Sequence, residues 1–529
     1  MNVVTADLVL LDGKVLTMNP IQPYADAVAI KGYRIIQVGS TETVNKTIGQ
    51  GTKIIRLKGK TVIPGIIDTH IHVADFGRIL TWLNLENVAS IKEVQSCLSQ
   101  RVKETHVGKW IIGRGWDQNR FAEKRFPTRF DLNEVSPDNP VVLYHASGQV
   151  CVINSKASEL ASIDKQSNST STSGIDRNQA GEFTGILRDE ATNLVWSIIP
   201  PLDEEELTAG AGLACRKIVE AGITSVHWII LSPLEVSVIQ KLNAQNKLPV
   251  RVNVIAPANV FEEILNLAFN KNPANENGML KFGGFEIFAD GYLAARTAAL
   301  FEPYSDCPGE KGRLLCSKEE MAEMAVKISK AGFQLVIHAV GDKAVDSALS
   351  IIEQTSSAQA GKMLDSRIEQ AAVLNEKLAE RMKKHRVIVS VQPRVVASEF
   401  SVWSAVDRLG SERARWLFPL NTLVKGGVRV IAGSDCPMEP LNPMLGIQEA
   451  VTREPFPEEQ VSVMDALRLY TVNAAYSTFE ESIKGSIEVG KLADIAVLSD
   501  DPRFVQPEKI SCISVEMTLV GGRVMHSKL

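Results

Sequence analysis

A (β/α)8 barrel accompanied by a small β-sandwich, in the α/β class, is the fold this sequence predicts. Three observations predict it. Short, nearly continuous apolar runs recur through the middle of the chain, helix-like stretches separate them, and both ends are rich in β segments with turn punctuation. At 529 residues the chain is also too long for one ordinary core, so more than one packed unit is expected.

The N-terminal end, residues 6–57, reads as hairpins. ADLVLLDGKVLTM carries an Asp12-Gly13 turn signal, and AVAIKGYRIIQVGS turns at Lys31-Gly32. The far end resembles it, with KLADIAVLS followed by ISVEMTLVGGRVMH and a turn at Gly521-Gly522. Residues 1–60 and 485–529 are therefore expected to assemble one composite β-sandwich around a barrel of residues 61–484. The barrel strands are read from TVIPGIIDTHIH, GITSVHWII, VRVNVIAP, FGGFEIFADG, FQLVIHAVGD, SRIEQAAVL, RVIVSVQP and VRVIAGSDCP. Runs apolar throughout are what strands buried on both faces require. KEEMAEMAVKISKAG, between two of them, places apolar residues at every third or fourth position, as a helix packed on a sheet does. Repeated strand–helix units of this kind make a parallel sheet, and eight over about 400 residues make a barrel. An insertion at about 90–200 follows the first strand and is expected to serve as a lid or substrate-pocket module. Its Ser/Thr/Asn-rich stretch, 162–174, reads as a surface loop.

Composition narrows the function. The formal net charge of −5 offers no electrostatic reason for a nucleic-acid partner. Seven dispersed cysteines without a CxxC pair fit reduced thiols in a cytoplasm. No run approaches the roughly 18 apolar residues that span a bilayer. Asp7 and Asp12 interrupt the first apolar stretch, which has no basic leader and does not read as a signal peptide. The expectation is a cytoplasmic protein acting on a small molecule, without membrane association; homodimerisation is left open. Ser527-Lys528-Leu529 match a peroxisomal address, but three residues are too few to assign one. No GxxxxGK[ST], strand-linked GxGxxG or GxSxG is present, so a phosphate cradle and a serine nucleophile elbow are both unsupported.

The chemistry lies with the rare ionisable residues. Of eight histidines, His70, His72 and His338 fall at the C-terminal ends of expected barrel strands, which converge on the catalytic face. Two residues apart on a strand, His70 and His72 point the same way and can reach one ion. His-x-His is a recurrent source of two nitrogen ligands for Zn2+ or a similar divalent metal, although alone it also fits a packed pair. Asp435, after VRVIAG at the other end of the barrel, adds a carboxylate able to bind metal and take a proton.

PGIIDTHIH resembles the first-strand signature of the amidohydrolase superfamily. FADGYLAARTAAL with PYSD, IHAVGD, SVQPRV and GSDCPMEPLNPMLGIQEAVTR resemble its amidohydrolase 3 branch, the group of YtcJ-like proteins and N-substituted formamide deformylase. GSIEVGKLADIAVLSDDP is similar to the segment that returns the chain to the β-domain, so the resemblance spans nearly the whole sequence. It implies that His70, His72 and His338 are metal ligands and that Asp435 is both ligand and general base. Metal-activated water would attack a carbonyl or related carbon, and Asp435 would pass its proton to the leaving nitrogen. The implied reaction is hydrolysis of a non-peptide carbon–nitrogen bond in a small amide, formamide or cyclic amide. The alternatives are a degenerate member that binds or regulates without hydrolysis, and a deaminase or esterase using the same centre. Zinc is the default metal; iron, manganese or nickel suit similar ligands.

The sequence departs from that family in three places. The branch carries a lysine on the fourth strand, where this chain has Glu286; a glutamate supplies an equivalent oxygen, so Glu286 is expected to be a ligand. A Glu-His pair on the sixth strand is here Glu369-Gln370, and a histidine of the insertion is replaced within Ser147-Gly148-Gln149. An amide oxygen is a poor zinc ligand, so one firmly bound ion is expected. Trp116, Tyr292 and Gln370 are read as pocket residues. Arg296 is read either as a two-pronged grip on a substrate carboxylate or as half of a structural salt bridge. His145 and His227 read as core residues.

Overall fold

The computed structural model describes residues 4–163, 173–269, 278–358 and 364–529. Most of the stretch expected to be a surface loop, residues 164–172, lies outside them. Packing divides the chain into two compact units: residues 1–77 with 207–529, and residues 78–206.

The larger unit holds an eight-stranded parallel sheet. Its strands are β1 (Ile66–Ile71), β2 (Ile223–Ile229), β3 (Arg251–Pro257), β4 (Leu280–Phe288), β5 (Gln334–Ala339), β6 (Arg367–Gln370), β7 (Ile388–Val391) and β8 (Arg429–Ala432), paired in sequence order. Nearly every residue of β1, β2, β5, β6 and β7 is buried, which is why β2, β5 and β7 are largely apolar, whereas β6, RIEQ, buries charged residues. Helices such as Pro233–Ala244, Lys318–Lys330 and Asp342–Ala358 follow β2, β4 and β5. The two ends of the sheet meet just past β1 and β8. Asp435 N donates to His70 O at 2.8 Å, His72 N donates to Cys436 O at 2.9 Å, and Ser434 N donates to the Asp68 carboxylate at 2.9 Å. Gly433 is required at this junction, because a Cβ there would lie 2.4 Å from His70 N.

The chain ends form two further sheets. One, of four strands, joins Leu8–Leu11, Ala27–Lys31, Arg34–Gly39 and Lys53–Arg56; the other, of six, joins strands between Lys14 and Pro64 to Ile495–Leu498, Val515–Val520 and Arg523–Ser527. Leu10, Val28, Ile35, Val62, Ile495, Val497 and Leu519 share one apolar core. The turns at Gly32 and at Gly521-Gly522 close antiparallel hairpins as expected. Asp12-Gly13 does not: Leu8–Leu11 and Lys14–Leu16 enter different sheets, so this turn carries the chain from one sheet to the other. The run TVIPGIIDTHIH is likewise two strands, Thr61–Pro64 in a terminal sheet and β1 in the barrel. They part at Gly65, where a Cβ would collide with Thr224 Oγ1 at 2.1 Å.

The smaller unit follows β1 and precedes β2 in sequence, and carries a six-stranded mixed sheet over Leu83–Arg188. Its core gathers Leu85, Val94, Leu98, Trp116, Phe121, Leu132 and Leu143.

Candidate metal centre

The hydrogen bonds that close the barrel also build the site. The Asp435 N–H bond to His70 O fixes the turn after β8, and Asp435 adopts a left-handed backbone with φ of 58°, a conformation Asp tolerates better than most residues. Its carboxylate comes to 3.6 Å from His70 Nε2 and 3.4 Å from His72 Nε2. Ligand atoms of His70, His72 and Asp435 all lie within 4.8 Å of one another, the spacing of groups that could share one ion. Asp68, buried on β1, accepts from both Ser434 N and His70 N, which ties the two edges of the ring together.

His70 is held from behind. Its Nδ1 lies 2.8 Å from Glu369 Oε2, which leaves Nε2 facing Asp435. Glu369 is itself paired with Arg367, and the Arg367 guanidinium reaches His227 Nδ1 at 2.8 Å and Ser390 Oγ at 3.1 Å. A carboxylate behind a histidine ring fixes its tautomer and raises its basicity, as in many metal sites. Burial disfavours the His70 imidazolium, yet Glu369, Asp435 and Glu286 outweigh it and lift the group to about 9. Burial also opposes the Glu369 carboxylate, but Arg367 and His70 pull it down to about 2.

Further buried atoms nearby have no partners. His338, at the end of β5, is pulled down to about 4 by burial and by His70, so its imidazole is neutral; a hydrogen bond with the Gly291 backbone holds the ring, and Nε2 is buried with no partner. Glu286, on β4, is buried rather than at a surface edge, its Oε1 has no partner, and burial pushes the carboxyl up to about 7. His72 Nδ1 is also buried and unpartnered. Buried polar atoms are ordinarily satisfied, so this cluster asks for a bound group. The neutral imidazole of His338, the imidazoles of His70 and His72 and two carboxylates suit a divalent transition metal. The residues present therefore fit the expected ion.

A cavity of about 530 Å3 opens over these groups, lined by His70, His72, Glu286, His338 and Asp435 among others. Tyr292 and Gln370 line it too, as expected from the sequence. Tyr292 is 57% exposed and its ring meets His338 edge-on at 5.5 Å; partial desolvation, with Asp435 and Glu286 nearby, raises its phenol above the usual tyrosine range. Gln370 sits at a bend where it and Ala371 both have positive φ. Trp116 is elsewhere. It is fully buried in the core of the smaller unit, its indole N–H donates to Leu143 O at 2.8 Å, and it packs on Phe121, Phe126 and His145. Its size and its single donor are both satisfied by packing, so it offers no face to a ligand. Arg296 does not line the cavity; its guanidinium grips Asp306 at 2.7 and 3.2 Å.

Sequence reasoning assigned no role to Glu369, Arg367, Asp68 or Glu399. The first two had a visible signal: Arg and Glu alternate within RIEQ, a short strand otherwise read as apolar, and buried charges occur there only if paired. Glu399 lines the cavity from helix Pro393–Ser401, whose sequence gives no sign of it.

A profile of the amidohydrolase family matches residues 53–526. The chain is 29% identical to YtcJ of Bacillus subtilis over 98% of each chain, and 27% identical to N-substituted formamide deformylase of Arthrobacter pascens over 99% of this chain and 98% of that one. A crystal structure of an uncharacterized metal-dependent hydrolase from Pyrococcus furiosus superposes with a TM-score of 0.77 at 30% identity, covering 94% of this chain and 99% of that one. The fold and site define a metal-dependent hydrolase. The chain belongs to the amidohydrolase family.

Proposed function

We propose that this protein hydrolyses a carbon–nitrogen bond, other than a peptide bond, in a small amide, formamide or cyclic amide. The observation that carries the reading is the meeting of His70, His72 and Asp435 with the unpartnered His338 Nε2 and Glu286 Oε1 in one cavity. These five residues would hold one divalent ion, with zinc the first candidate. When bound, such an ion supplies Lewis acidity towards a substrate oxygen and lowers the pKa of water. Glu369 holds the His70 ring so that Nε2 stays available. Asp435, within reach of both imidazoles, accepts a proton from the attacking water and delivers it to the leaving nitrogen. Tyr292 offers a neutral phenolic O–H to the substrate. The likeness to N-substituted formamide deformylase supports the choice of substrate class. Gln370 supports one ion rather than two, because an amide replaces the imidazole found at this position in the resembled branch.

The test combines metal analysis with a panel of formamides, acyclic amides, cyclic amides, esters and aminopurines. The expected result is about one equivalent of metal, turnover of the amide groups, its loss on chelation, and a fall of about 10²- to 10⁴-fold in kcat/KM for Asp435→Asn. Metal uptake without turnover of any carbon–nitrogen substrate would favour the binding or regulatory reading, and turnover of esters or aminopurines alone would favour the esterase or deaminase.

A further inference from the structure

The walls of the same cavity are apolar, with Phe288, Leu293, Val340, Val395, Trp403 and Phe418 among them. The charged lining, histidines aside, is carboxylate throughout: Asp75, Glu286, Glu399 and Asp435. Among the described residues no lysine or arginine lines it. Glu286 and Asp435 are accounted for by the expected cation. Glu399 is not. It is 6% exposed and its Oε2 is buried with no hydrogen-bond partner; the Arg408 guanidinium acts on it through charge alone, with no ion pair between them among the described residues. A buried acceptor on a residue that lines an apolar cavity is costly without a donor, and a group that enters the cavity could supply one.

We propose that Glu399 selects the substrate: it accepts hydrogen bonds from a protonated amine carried on the substrate's apolar body, away from the bond that is cut. This rests on the carbon–nitrogen hydrolase reading and sharpens it, since the favoured substrate becomes a small amide or formamide bearing a second, basic nitrogen. The apolar walls hold the hydrocarbon portion, and the acidic lining repels a carboxylate. Burial has already pushed the Glu399 carboxyl up to about 7, so an incoming ammonium recovers the charged form that the empty cavity disfavours. Arg296, the group expected to receive a substrate carboxylate, is occupied by Asp306.

The experiment titrates the metal-loaded full-length protein by calorimetry with benzylammonium and with benzyl alcohol, which differ in charge at nearly equal size, at about pH 8 where both Glu399 and the probe are ionised. Benzylammonium is expected to bind about tenfold to a hundredfold more tightly, the range of a hydrogen bond to a charged group. Glu399→Gln and Glu399→Leu are each expected to erase that preference while binding of the alcohol changes little. Equal binding of the two probes by the unaltered protein, or a preference that survives both substitutions, overturns the proposal. The titration needs no turnover. If every carbon–nitrogen substrate is inert, the hydrolase reading fails while the probes still decide on Glu399.

Discussion

At the N-terminal ends of the barrel strands, Arg251 opens β3 and pairs with Asp494 through two contacts of 2.6 and 3.0 Å, and Gly521 N donates to the same carboxylate at 2.7 Å. At the C-terminal ends, His338 Nε2, Glu286 Oε1 and Glu399 Oε2 are equally buried and have no partner. The buried charge at the start of β3 is thus paired, while the ionisable groups towards the ends of β4 and β5 and on helix Pro393–Ser401 are not. Burying a charge demands a partner in either place. Where the chain supplies it, the charge locks β3 to the segment leading into strand Ile495–Leu498. Where the chain withholds it, a ligand must complete the set. That contrast holds for charged groups and not for neutral ones, since the Asn253 side chain, two residues from Arg251 on β3, is also buried without a partner.

The largest expected effect breaks the satisfied end. Arg251→Met leaves Asp494 buried without its cation and is expected to cost about 3–5 kcal/mol of stability, read as a lowered denaturation midpoint. Metal content and kcat/KM of the folded variant should not change, because the lesion lies at the opposite end of the strands. A loss of metal with stability intact would mean that the two ends are not separable.

The unsatisfied end should respond to pH instead. The folded-state pKa of Glu399, raised to about 7 from an ordinary 4.5, means that folding favours its protonated form. Its contribution is fully present below about 4.5 and is lost as pH rises through about 7, to a maximum of about 3 kcal/mol. Glu399→Gln cannot ionise. Its melting temperature should exceed that of the unaltered protein at about pH 8, and the gap should close towards about pH 5. A gap that stays constant over that window would show that Glu399 is not held in a raised state. A smaller effect is expected behind the site, where Glu369→Gln should weaken metal binding by about 10- to 100-fold in competition with a chelating dye. Unaltered affinity would remove Glu369 from any part in holding His70.

The contrast between the ends also explains what could be read from the sequence. Strands buried on both faces are mostly apolar, so the barrel strands stood out as runs, and His70, His72, His338 and Asp435 stood out as polar residues at their ends, while β6 owes its charged residues to a buried pair. Partner choice was not legible. Asp12-Gly13 signals a local reversal, but nothing in a dipeptide says whether the next strand rejoins the same sheet; here it joins another. TVIPGIIDTHIH reads as one run because apolar character does not record which sheet buries it. Trp116 in GRGWDQ was bracketed by polar residues and read as pocket-facing, yet its strand sinks it into the core of the smaller unit. Glu399 was hidden for the opposite reason. A single acid in a short helix looks like a solvated residue until the packing around it is known.

Arg296 gives the smallest prediction and the sharpest division between the two readings of one residue. It follows β4 in a turn, at φ of 54°, and its guanidinium forms a two-pronged pair with Asp306. Exposed pairs of this kind contribute little to stability, because water and salt screen them. Arg296→Ala should therefore leave the melting temperature within error and KM unchanged for every substrate that is turned over. A rise in KM confined to carboxylate-bearing substrates would return Arg296 to the site. It would also contradict selection by Glu399, because one cavity cannot favour an anion through Arg296 and a cation through Glu399 on the same part of a substrate.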